Sequence, residues 1–194
     1  MKKICLVYCH PNPSSLNSAI ADAYERGASA GGHSVRRLNL YEMAYDPSVI
    51  FTGVGKQQEL EPDLVAAQET IQWAEHVVFV FPTWWGSTPA RLKGFFDRTF
   101  LEGWAYRYDD LKSLLPRKLL AGRSAHLIYT MNTPPLLFQL VIGDPVWRSL
   151  KLGTLGFVGL TPVRRTVFGP VKKSSEMQRK RWLAAVEADG KRGK

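Results

Sequence analysis

Val77-Val78-Phe79-Val80-Phe81-Pro82-Thr83-Trp84-Trp85-Gly86-Ser87-Thr88-Pro89-Ala90 decides the fold of this chain. An uncharged run of β-branched and aromatic residues stops at a proline, which predicts a buried strand rather than a helix. Pro82 to Gly86 then forms a loop at the carboxyl end of that strand. In an open α/β sheet, ligands sit at that edge. Two large aromatic side chains placed there point to a flat, planar ligand.

Outward from this strand, the chain alternates strand and helix. Lys3 to Cys9 reads as a first strand. A helix follows to about Ala30, with Ser15 or Asn17 as its cap and Gly31-Gly32 as its stop. Ser34 to Leu40 alternates as a second strand, and Tyr41 to Glu59 is a long loop containing Pro47, Gly53 and Gly55. Pro62 starts a helix to about Ala74, where its missing N–H costs nothing. His76 to Phe81 is the third strand, and Pro89 opens a helix through Phe100. Leu101 to Arg123 reads as irregular. Ser124 to Thr130 is a fourth strand, Asn132 to Leu137 a proline-bearing loop, and Pro145 to Leu155 a helix stopped by Gly156 or Gly159. Arg164 to Phe168 is a fifth strand and Ser174 to Ala188 the last helix. The expected fold class is α/β: a flavodoxin-like three-layer α/β/α sandwich on a five-stranded parallel sheet, with residues 1–194 as one domain.

Bulk properties narrow the function. The 194 residues suffice for one well-buried core. The longest apolar runs are too short to span a bilayer, and the chain enters a strand directly after Met1-Lys2-Lys3, so a cytoplasmic protein is expected. Cys5 and Cys9 fit neither a zinc site nor a redox pair and read as buried free thiols; no metal is expected. The net charge of +9 is uneven: residues 1–116 carry 11 basic and 13 acidic residues, residues 117–194 carry 15 and 4. A basic half suits nucleic acid, an anionic membrane or a phosphorylated ligand. No nucleic-acid motif accompanies it, so no nucleic-acid partner is expected.

Three loops carry candidate chemistry. His10-Pro11-Asn12-Pro13-Ser14-Ser15-Leu16-Asn17-Ser18 precedes the first helix; its hydroxyls, amide and free N–H groups suit a phosphate. Pro82, Thr83, Trp84, Trp85 and Gly86 form the second loop. Thr130, Met131 and Asn132 close the fourth strand. In a flavodoxin-like strand order these ends are neighbours at the ligand edge.

Read together, His10-Pro-x-Pro-x-Ser15-Leu-Asn17, Leu60-x-Pro62-Asp63-Leu64-x-Ala66-x-Gln68, and Phe81-Pro82-x-x-Trp85-x-x-x-Pro89-Ala90-x-Leu92-Lys93-Gly94-Phe95-Phe96-Asp97-Arg98-Thr99-Phe100 give the chain a family likeness. It resembles the flavodoxin-like NAD(P)H:quinone oxidoreductases, which include DT-diaphorase-type enzymes and the ancillary flavoproteins of potassium-efflux systems. The resemblance implies that Ser15, Leu16 and Asn17, with His10 nearby, hold a flavin phosphate. It implies that Pro82, Thr83, Trp84, Trp85 and Gly86 line the isoalloxazine, with Thr130, Met131 and Asn132 at its other edge. The implied cofactor is FMN, with FAD as the alternative, and NAD(P)H is the co-substrate. Hydride would pass from nicotinamide through the flavin to a quinone, azo or nitro acceptor. The resemblance also implies a homodimer with the flavin near the interface, for which Trp104, Tyr106, Tyr108 and Phe138 are candidate exposed aromatics.

Two departures stand out. Met131-Asn132-Thr133 replaces the family's Thr-Gly-Gly, and the family's Tyr and His proton relay falls on Leu136 and Ile142, which move no protons. No side chain is therefore assigned as catalyst. The alternative function is a regulatory flavoprotein subunit of a membrane transporter, its basic half facing anionic lipid or an acidic partner in a weak peripheral association. An electron-transfer flavodoxin is disfavoured, because those are acidic.

Overall fold

The computed structural model describes residues 1–50, 58–110 and 114–194. Five parallel strands form the central sheet: β1 (Lys3–Tyr8), β2 (Ser34–Asn39), β3 (His76–Pro82), β6 (Ser124–Thr130) and β7 (Val163–Phe168), in the order β2-β1-β3-β6-β7. The expected parallel sheet and flavodoxin-like strand order are thus found. Helices α1 (Leu16–Ala30), α2 (Pro62–Trp73) and α3 (Ala90–Thr99) join the first four of these strands, and α7 (Glu176–Lys191) follows the last.

Strand parity sorts the core into two layers. Ile4, Leu6, Val78, Val80 and Ile128 face α1 and α7, whereas Cys5, Val7, Val77, Phe79, Phe81, Leu127 and Tyr129 face α2 and α3. That double burial explains why β3 reads as an unbroken apolar run rather than an alternating one. Cys5 and Cys9 are buried free thiols on one side of the sheet. Ser15 caps α1, its hydroxyl accepting from Ser18 N–H, and Gly31 ends the helix. Asn17 is not the cap.

Four expectations change. Within the segment read as irregular, β4 (Tyr106–Arg107) pairs antiparallel with β5 (Arg117–Lys118). The loop expected over Asn132 to Leu137 gives way to a short helix, α4 (Pro135–Leu140), started by Pro135 at its first position. Pro89 is the N-cap of α3 and not its first residue. The helix expected over Pro145 to Leu155 is α-helical only in α5 (Pro145–Arg148); Ser149–Leu155 is a π-helical stretch, followed by α6 (Gly156–Val158) and Gly159 at φ 103°. Of the loop expected over Tyr41 to Glu59, residues 41–50 and 58–59 hold neither helix nor strand, while Gly53 and Gly55 lie outside the described residues. The buried Arg98 fastens that loop through Asp46 and Glu59 carbonyls and the Glu61 carboxylate, all at 2.7–2.8 Å.

Candidate functional site

The carboxyl ends of β1, β3 and β6 surround a cleft of about 290 Å³. Its walls include His10, Ser15, Leu16 and Asn17 from the first loop, Pro82, Thr83 and Trp84 from the second, and Thr130, Met131 and Asn132 from the third. Ten of the twelve residues expected at the site are therefore brought together.

One end of the cleft is suited to an anion. The first turn of α1 presents unpaired backbone N–H groups, and the positive end of the helix dipole lies there. Tyr8 braces this turn from below, its hydroxyl donating to Asn12 O at 3.0 Å and lying 3.3 Å from Ser15 Oγ. His10 Nδ1 lies against the Asn12 backbone, 3.0 Å from its N–H and 3.2 Å from its carbonyl oxygen. Partial burial holds the His10 pKa below its ordinary value, although its contact with the Asn12 backbone works the other way. Burial thus favours the neutral ring of His10 at the rim.

The other end is aromatic. Thr83 extends the sheet by one rung, its N–H and its hydroxyl both donating to Thr130 O at 2.7 Å. The chain then turns sharply: Trp84 and Ser87 exchange two backbone bonds of 3.0 and 2.9 Å. Trp85 and Gly86 between them have φ of 53° and 71°, the pair of positive angles of a type I′ turn. Trp84 lies edge-on to His10 at 6.2 Å between ring centroids. Trp85 is 103% exposed at the corner of the turn. Trp85 and Gly86 are thus beside the cleft, not in its wall.

Asn17 also departs from the simplest expectation. Only 4% exposed, it turns its amide toward Thr130 Oγ1 at 3.0 Å and joins the first loop to the third. Its backbone N–H remains in the helix turn that faces the cleft.

Sequence reasoning missed Val171 and Lys172, which complete the wall. Met131 N–H donates to Phe168 O at 2.9 Å, Val171 N–H to Met131 O at 3.0 Å, and Lys172 N–H to Asn132 Oδ1 at 3.0 Å. Gly169 permits this approach, since a Cβ there would lie 2.8 Å from Met131 O. The signal was a Gly-Pro pair and two lysines directly after a strand end. Lys172 and His10 are the two titratable side chains in the described wall. Leu136 and Ile142, at the family's relay positions, are exposed on and just after α4. Phe138, expected to be an exposed aromatic, is buried at 3% and would lie 3.9 Å from a Cβ on Gly86, so α4 stands against the Trp84–Ser87 turn.

Beneath the third loop, Asp144 is a buried anchor. It accepts from Tyr129 Oη at 2.9 Å and Trp147 N–H at 3.2 Å and pairs with Arg165. Burial first, and then the bond to Asp144, push the Tyr129 hydroxyl pKa upward.

Comparison with known proteins agrees with this geometry. A family model described as flavodoxin-like fold matches residues 2–189. A rat protein named ribosyldihydronicotinamide dehydrogenase [quinone] is 31% identical over 209 residues, covering 95% of this chain and 88% of that one. The chain belongs to the flavodoxin-like NAD(P)H:quinone oxidoreductase family. Among solved structures, a Streptococcus mutans protein, Smu.1420, is 33% identical with a TM-score of 0.86 over 97% of this chain and 98% of that one. A putative quinone reductase from Klebsiella pneumoniae is 27% identical, also with a TM-score of 0.86, covering 97% of this chain and 83% of that one.

Within this family fold, the donor set of the cleft fits a flavin. A neutral imidazole, a hydroxyl, helix N–H groups and one ammonium suit a phosphate, and Trp84, Pro82 and Met131 suit a planar ring.

Proposed function

We propose that the cleft holds FMN and that the protein is an NAD(P)H:quinone oxidoreductase. The observation that carries this reading is the convergence of three separate loops into one cleft with an anion end and an aromatic end. The reductase reading is favoured over the regulatory transporter subunit, since the named relatives are dehydrogenases and reductases. Bound flavin would supply hydride transfer from the nicotinamide to the acceptor.

The chain's own residues have separable tasks in this reading. The α1 turn, Ser15 and Lys172 bind the phosphate, and the small size of the cleft suits FMN better than FAD. Pro82, Thr83 and Trp84 position the ring against Thr130 to Asn132. Leu136 and Ile142 hold no proton, so protons come from water.

The reading includes a homodimer. Its face would be the aromatic recess of about 540 Å³ lined by Phe96, Phe100, Tyr106 and Phe157, with Tyr108 at its edge. Light scattering on the purified protein tests it; a clean monomer refutes it.

The test of the cofactor is colour and mass. Purified protein is expected to show flavin absorbance, to release FMN on denaturation and to oxidise NAD(P)H with a quinone. A colourless protein that gains no absorbance after incubation with FMN or FAD overturns the reading.

A further inference from the structure

Strand β7 ends the central sheet on one side, so its outer edge is bare. The carbonyls of Pro162 and Phe168 accept from the N–H groups of Ala125 and Met131 on the β6 side. Backbone groups alternate in direction along a strand, so those of Val163, Arg165 and Val167 point outward. Among the described residues, none of these outward groups has a backbone hydrogen-bond partner.

A groove of about 330 Å³ follows this edge and takes in both faces of the strand. On the α7 face, Thr166 Oγ1 lies 2.8 Å from Nε2 of the buried His126, and strand parity puts Arg164 beside it. On the opposite face, Arg165 lies over the Trp147 ring at 4.9 Å. The groove shares no lining residue with the flavin cleft or with the aromatic recess assigned to the homodimer.

The charge along this edge is positive and partly unspent. Arg164 is exposed and forms no ion pair among the described residues. Lys194 stands in the same groove. The one acidic residue of its lining, Asp189, is bonded to Arg192 at 2.6 Å. The other open edge, β2, differs. There Arg37 pairs with Asp22 and Glu25, and Arg36 lies over the Trp73 ring at 4.2 Å.

We infer that the β7 edge binds an extended acidic segment of another protein as an added strand. The main chain of that segment pairs with residues 163, 165 and 167, and its carboxylates meet Arg164 and Lys194. Main-chain bonds supply affinity in this mode, and alternate side chains supply specificity. A second copy of this chain does not fit. Pairing β7 with β7, or with β2, sets Arg164 and Arg165 against cations, and like charges across a strand pair are unfavourable. The same cations that keep copies apart are complementary to an acidic strand. The inference is independent of the flavin reading: the protein is expected to bind whether or not it carries FMN.

The experiment is fluorescence anisotropy of a labelled peptide of alternating Glu and Val, titrated with the full chain. Saturable binding at low salt is expected, weakened at high salt. The same peptide with Lys in place of Glu is expected not to bind, and neither is the Glu peptide with N-methyl groups on alternate residues, which cannot pair. Arg164→Glu replaces one attraction by a repulsion, so a loss of about fivefold in affinity is expected. Backbone amide exchange at Arg165 and Val167 should slow when the Glu peptide is added. Absence of binding by the wild type overturns the inference. So does equal binding of the N-methylated peptide, which would reduce the contact to charge alone. Affinity unchanged in Arg164→Glu, or protection that appears elsewhere and not on β7, overturns it as well.

Discussion

The Asn17 side-chain amide donates to Thr130 Oγ1 at 3.0 Å, joining two buried residues that lie 113 positions apart in the chain. This bond connects the helix turn at the phosphate end of the cleft to the strand end at its ring side. The two ends of a ligand would thus be held at a fixed separation.

Asn17→Ala removes that tie and leaves the Thr130 hydroxyl without its partner. The expected cost is about 1–2 kcal/mol of stability, which corresponds to a melting temperature lower by roughly 2–8 °C for a chain of this size. Thermal unfolding followed by circular dichroism measures it. Flavin titration should show weaker binding as well; a lower melting temperature with unchanged flavin affinity would confine Asn17 to the fold.

Asp144→Ala leaves Arg165 and the Tyr129 hydroxyl unpaired beneath the third loop. Breaking a buried ion pair on one side costs about 3–5 kcal/mol; the lower value applies here, because the Arg165 side chain is partly exposed. The urea unfolding midpoint is the measurement, with an unchanged slope expected.

Gly169→Ala would place a Cβ 2.8 Å from Met131 O and 3.0 Å from Met131 Cγ. The exit of β7 must move away, taking Val171 and Lys172 out of the wall. Overpacking of this kind costs about 1–3 kcal/mol. Flavin affinity should fall by at least about tenfold, and equilibrium dialysis against FMN would detect it.

Trp85→Ala tests the exposed corner of the turn. Its side chain packs on little, so stability should change by less than about 0.5 kcal/mol. Any effect is expected in the KM for the acceptor, read from steady-state kinetics. A large loss of stability would show that Trp85 is packed.

Acid stability follows from two histidines on the sheet, remote from the cleft. His76 donates to or accepts from Ser124 Oγ at 2.8 Å, and burial lowers its pKa from 6.5 to about 3. Burial lowers that of His126 as well. Between the unfolded and folded values the unfolded chain binds more protons, so stability rises with pH there. The contribution is complete above about 6.5 and is lost as pH falls toward about 3. Denaturant midpoints across that range should decline, less steeply in His76→Asn. Equal slopes in variant and wild type would remove His76 as a source.

The sheet was legible because its central strands are buried on both faces. A run such as Val77 to Phe81 contains nothing a helix surface would need, and Pro82 ends it. Ser15 was legible as a cap, and the three loops as neighbours, because the alternation of strand and helix dictates which ends meet. Lys172 was not, since its place depends on Gly169 admitting a close backbone approach, a three-dimensional fact. The β4–β5 pair escaped notice because two residues per strand carry no period. Helix α4 was read as a loop because its prolines dominate the pattern, although a proline at the first helical position is favourable. Asn17 had a plausible role at the helix start, and only the fold shows that its amide has another partner.

The π-helical stretch Ser149–Leu155 is in effect one surplus residue within a helix. Val146, Leu150, Leu155 and Val158 face the core, at intervals of 4, 5 and 3 residues. Deleting Gly153, whose absent side chain meets nothing within 4 Å, would make those intervals 4, 4 and 3. That is the stripe of an ordinary α-helix. The segment can therefore lose a residue and keep its face, so this helix tolerates a shortening that an unbroken α-helix would not.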